Sequence, residues 1–275
     1  MFICYLVKTN LHVMKTRPTL SVILVVLVSF SLYYMLFLFF GPIKRELDTL
    51  TRQGLLSYIL TYFIIGVPIF LGTYVLSKRE RVFKSLGLSG NFATGITLSL
   101  LFVSPMLAGG LFIFGLNKEI SMQTLIAQTV IAGFMEELYF RGFLFGQLFR
   151  KTKLGFIPAI FFGAVLFASG HLYQSQDINR MMGIFMLTFL GAVFFAWLFT
   201  EWKYNLWVPI WTHTLMNLTW ILFDFDNTSL GGVYANILRG STIAFAIVFT
   251  IVYKKRNRQR LAVNKHTLIL KKSDN

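Results

Sequence analysis

Residues 124–149 read TLIAQTVIAGFMEELYFRGFLFGQLF. Both flanks of this stretch are apolar enough for a bilayer, whose hydrocarbon core of about 30 Å needs about 20 residues of helix. Its middle holds Glu136, Glu137 and Arg141. Each charge at a helix centre costs about 2.5–3.5 kcal/mol on insertion scales. A span that keeps three of them must turn them towards a bundle interior or a water-filled cavity. The stretch therefore predicts a helical membrane bundle with a polar site inside it.

The rest of the chain agrees with a bilayer as solvent. Of 275 residues 56% are hydrophobic and only 13% charged, against about 25% charged in soluble domains. Eight apolar runs are long enough to be candidate spans, at roughly 20–40, 55–76, 94–116, 124–148, 154–173, 181–200, 206–223 and 237–253. Backbone groups in lipid must be satisfied internally, so these runs predict helices. Alternating segments of about ten residues, the signature of a membrane barrel, are absent. The fold class expected is all-α, a polytopic membrane protein of about eight transmembrane helices. Three parts are expected: 1–121 with the first three spans, 122–220 with the charged span and the three after it, and 221–275 with the last span and a basic tail.

The first run exceeds a signal-peptide core and no small-x-small cleavage site follows it, so a retained anchor is expected. Met14, followed by Lys15-Thr16-Arg17, is a candidate start; N-terminal sequencing that found Met1 or Phe2 would rule it out. The formal charge is +15, and the basic residues sit between the apolar runs and in the tail. With the N-terminus inside, nineteen Lys and Arg fall in cytoplasmic segments and five outside. That bias predicts a cell-membrane protein with both termini cytoplasmic. Membrane lipid is the expected partner of the basic segments, and no nucleic acid, because orientation and anionic lipid account for them. Residues 256–275 are polar and expected to be loosely ordered, and 224–232, DFDNTSLGG, to form an outer loop. The single cysteine, Cys4, excludes a disulfide framework and a Cys-based zinc site.

Spacing orders the polar residues. Glu137 and Arg141 are four apart and share a helix face, so they can pair. Glu136 is rotated about 100° from Glu137, which leaves it free to work as a base. A purely structural ion-pair network is the competing reading. Two histidines fall in spans: His171 closes FASGH and His213 sits in WTHTLMN. Each alone could be a helix-packing hydrogen bonder. Asn217 lies four after His213, so the two could present donors to one oxygen. Phe167, four before His171, shapes the pocket or simply packs. Gly133, Gly142, Gly163 and Gly170 permit close helix approach. His-Glu-x-x-His and Gly-x-Ser-x-Gly are both missing.

Glu136-Glu137-x-x-x-Arg141, Phe167-x-x-x-His171 and His213-x-x-x-Asn217, in that order on predicted spans, resemble the CPBP family. This is the group also called Abi, or CAAX-protease-and-bacteriocin-processing proteins, with the Rce1-type CAAX prenyl endopeptidase as its best-known member. The resemblance covers roughly residues 122–220. It implies an intramembrane endopeptidase, with 122–220 as its catalytic core and a peptide or protein as its substrate, in which Glu136 and His171 activate water and His213 and Asn217 stabilise the oxyanion. Glu137, held by Arg141, would support the site. The cofactor is left open. The family is often labelled metalloprotease, and Glu136, His171 and His213 could supply three ligands to a divalent metal such as zinc. The same residues could also activate water unaided, and the few spare carboxylates at depth lean that way. Two other functions remain: a proton-coupled transporter using the same residues as a relay, and a bacteriocin-immunity or scaffold protein on the same fold. The missing internal repeat counts against the transporter.

Overall fold

A computed structural model describes residues 19–77 and 81–271. The candidate start at Met14, Cys4, His12 and the basic residues of 1–18, 78–80 and 272–275 lie outside the described residues. The chain folds as helices α1 (Thr19–Phe37), α2 (Phe40–Thr51), α3 (Gly54–Ser77), α4 (Val82–Leu86) and α5 (Phe92–Ile113). A composite helix α6 follows over 122–151, then α7 (Phe156–Ser169), α8 (Ile178–Glu201), α9 (Trp207–Leu222) and α10 (Val233–Arg256). Among the described residues the only β-pairing is an isolated antiparallel bridge, Leu154 with Leu270.

Six helices are long and apolar enough to cross a membrane: α1, α3, α5, α8, α10, and α7 with the short 3₁₀ turn that extends it to Gln174. The other two expected spans are present as helices but differ in kind. α9 is only 16 residues long, and α6 carries the three charges. Both can fall short of an ordinary span because their neighbours enclose them. α6 touches α1, α3, α4, α7, α8 and α9. From Glu137 to Phe149 all its residues except Phe140 are buried. The lipid-facing surface is built instead from apolar side chains, such as Leu24 and Met35 on α1, Phe112 on α5 and Phe161 on α7.

Local chemistry sets several helix starts. Asn91, Ser121 and Asp177 each accept a hydrogen bond from the backbone N–H three residues on, capping α5, α6 and α8. Close packing rests on small residues. A Cβ at Gly133 would stand 2.7 Å from Thr214 Oγ1, and one at Gly142 2.9 Å from the Leu86 carbonyl. Gly163 meets Leu144 of α6, whereas a Cβ at Gly170 would meet only its own helix. The loop 223–232 consists of turns and bends at one end of the bundle, together with 114–121 and 170–177.

The tail departs from expectation. Residues 257–271 are ordered and fold back on the bundle. The carbonyls of Thr267, Leu268 and Ile269 accept hydrogen bonds from the N–H groups of Phe156, Ile157 and Gly155, at 2.8, 2.9 and 2.7 Å. These N–H groups open α7 and have no partner within the helix. The Glu201 carboxylate, 1% exposed, accepts from the N–H groups of Ala262 and Val263 and pairs with Lys254. Composition marked the tail as polar; backbone carbonyls carry the docking, and composition does not encode those.

Candidate active site

The site lies where α6, α7, α8 and α9 meet. α6 is not a uniform α-helix: Ala127–Ile131 and Glu137–Phe145 are wider π-helical turns. The Gly146 N–H donates to the Arg141 carbonyl, five residues back. A Cβ at Gly146 would lie 2.7 Å from that oxygen. Wide turns of this kind recur at functional sites because they re-aim side chains within an otherwise rigid helix. The second one starts at Glu137, between the two glutamates.

Those glutamates have opposite surroundings. Glu137 is fully buried and sits 3.1 Å from the Arg141 Nη1. Its Oε1 also accepts from His213 Nδ1 at 2.8 Å. Arg141 is likewise fully buried. Its guanidinium lies between two rings, 4.5 Å from Phe167 and 5.4 Å from Phe195. Cation–π attraction is strongest when desolvated, and here it replaces hydrogen bonds that the apolar walls cannot offer. Glu136, by contrast, is 24% exposed, and its Oε2 lies 3.9 Å from His213 Nε2.

The imidazoles are held from behind. His213 stacks on Phe195, with ring centres 4.8 Å apart and an angle of 18°. His171 places Nδ1 2.8 Å from the Phe167 carbonyl. That carbonyl and the Glu137 carboxylate accept only, so both histidines carry the proton on Nδ1 and present Nε2 to the cavity. Asn217, half-buried on the same face as His213, donates from Nδ2 to the Gln128 carbonyl at 3.4 Å.

Glu136, Phe167, His171, His213 and Asn217 line one cavity of about 750 Å³. A shallower depression of about 600 Å³ shares Asn117, Ile120, Asp224 and Asn227 with it. The cavity thus runs from the site to the loops 114–121 and 223–232. Arg239 of α10, packed 4.1 Å over the Trp220 ring, also lines it.

Every sequence-predicted site residue therefore lies on the cavity or directly behind it. Glu137 and Arg141 form the expected pair. His213 Nε2 lies within 4 Å of Glu136, and Glu137 fixes that imidazole as well as Arg141. The sequence reading missed Phe195, which touches both Arg141 and His213. It is one of 30 phenylalanines and belongs to no motif. Among the described residues no group of three or more His, Cys, Asp or Glu side chains is arranged to hold a metal ion. Glu136, His171 and His213 do not fit that role as placed, and no step below runs through a metal.

Residues 118–219 match the family model described as Type II CAAX prenyl endopeptidase Rce1-like. The chain is also 26% identical over 207 residues to YdiL of Bacillus subtilis (strain 168), a protein described provisionally as a membrane peptidase. That alignment covers 68% of this chain and 78% of YdiL. No solved structure matches.

Proposed function

From a multi-pass membrane protein whose residues 118–219 carry an Rce1-like peptidase domain, we propose an endopeptidase in which Glu136 is the general base. The observation that carries the proposal is the contrast between the glutamates. Glu137 is committed to Arg141 and His213, while Glu136 keeps exposure to the cavity beside His213 Nε2. A gap of 3.9 Å is too long for a hydrogen bond. It suits one water bonded to both groups.

In the proposed reaction Glu136 takes a proton from that water as its oxygen attacks the scissile carbonyl. The carbonyl π pair moves onto the oxygen. The C–N bond then breaks, and the proton held by Glu136 passes to the leaving amine. The two imidazoles divide the remaining work by what lies behind them. His213 has the Glu137 carboxylate at its back, so a positive charge on it has a counter-ion. With a proton on each ring nitrogen, it is the one suited to donate from Nε2 to the oxyanion, with the Asn217 amide beside it. His171 has only a neutral carbonyl behind it. Its Nε2 lone pair suits it to accept from water alongside Glu136.

The test is cleavage of a peptide library by the purified protein in detergent. Removing a general base typically lowers the rate about 10²–10⁴-fold, and that loss is expected of Glu136→Gln. Loss of one oxyanion donor is worth about 10²–10³-fold, expected of Asn217→Ala. Undiminished cleavage by Glu136→Gln would end this assignment.

A further inference from the structure

The direction in which the cavity opens can be set against the charge of the two bundle ends. The cavity leads to the loops where α5, α7 and α9 finish and α6, α8 and α10 begin. This end carries six Lys or Arg, among them Lys118 and Arg180, and six Asp or Glu, among them Asp224 and Asp226. The opposite end carries thirteen Lys or Arg among the described residues, and one carboxylate, Glu201, which is already paired with Lys254. Every connecting segment is short, so the positive-inside rule applies at full strength and assigns the basic end to the cytoplasm.

The basic end is also closed. Between Glu136 and Arg150 lie thirteen residues of helix, about 20 Å at 1.5 Å per residue, and nearly all of them are buried. Beyond them the tail covers the start of α7. Among the described residues the core between that side and Glu136 is packed.

We propose that the cavity takes its substrate from the non-cytoplasmic side of the membrane. The substrate class is then a peptide segment exposed on that side, and not a cytoplasmic tail. This rests on the peptidase reading above. It adds sidedness, which nothing in the active-site chemistry demands.

Two measurements separate the claims. In a Cys4→Ser background, Gly115→Cys places a thiol at the cavity end and Ser89→Cys one at the basic end. Both positions are exposed, and a Cβ at Gly115 meets nothing within 4 Å. A membrane-impermeant maleimide should label Gly115→Cys in intact bacterial cells expressing the chain, and Ser89→Cys only after lysis. The second measurement takes an impermeant peptide that is cleaved in detergent and offers it to sealed vesicles. Cleavage should be at least about tenfold faster in right-side-out than in inverted vesicles. The reverse labelling pattern, or cleavage confined to inverted vesicles, overturns the sidedness and leaves the peptidase intact. No cleavage even in detergent ends the peptidase reading, and labelling alone then decides which side the cavity faces.

Discussion

Glu136 and Glu137 are adjacent in the chain, yet replacing each by glutamine should give opposite phenotypes. Glu137→Gln withdraws the counter-ion of Arg141 and leaves His213 only a neutral amide oxygen as acceptor. Leaving a buried charge unpaired costs about 3–5 kcal/mol, so a clear fall in thermal stability is expected in detergent melts. Glu136→Gln touches a side chain that is 24% exposed and should melt near the parent temperature while losing hydrolysis. If the two variants melted alike, the division of roles between the glutamates would be wrong. The Glu137–Arg141 pair was legible because four-residue spacing is local geometry. The link from Glu137 to His213 crosses 76 positions, and no spacing rule encodes it. Phe195 was illegible for a related reason: its role depends on which ring packs beside which cation. In a chain with 17% aromatic residues, sequence cannot rank one ring above another.

At the level of the helix, the contact between α6 and α9 sets the distance between Glu136 and His213. Gly133 allows it, since any Cβ there approaches Thr214 one residue after His213. Gly133→Val should push the helices apart. A displacement of about 1 Å at a catalytic group can cost about 10²-fold in rate. The expected result is a protein that still folds and purifies but is strongly impaired in peptide cleavage. Unchanged activity would mean that the two helices are held apart by other contacts. Helix type and order were plain from apolar run length, and so was the small-residue contact. The π turns were not, because the residues of Glu137–Phe145 are compatible with ordinary helix. Their widening is chosen by packing against the surrounding helices. The same packing explains why eight apolar runs yield six helices that meet the length and hydropathy of a span. The two that fall short are the ones shielded by the rest.

Across the whole molecule, charge asymmetry could be counted from the sequence, whereas the position of the cavity mouth could not. Only the fold shows that the site opens towards the nearly neutral end. The tail adds a prediction of its own. Glu201 gathers Lys254 and two tail N–H groups, so Glu201→Ala should release residues 257–271. Limited proteolysis should then cut within that stretch much faster than in the parent protein. Equal cutting rates would show that the carbonyl contacts to α7 hold the tail alone. Those contacts also bear on biogenesis. The first N–H groups of α7 wait for carbonyls at 267–269, more than a hundred residues later in synthesis. At translation rates of about 5–20 residues per second, that is a delay of at least about 5 s. Until those residues have emerged, the fifth apolar segment sits in the membrane with its leading end hydrated. A nascent chain halted after α10 would hold every proposed catalytic group and still lack the seal on its basic end.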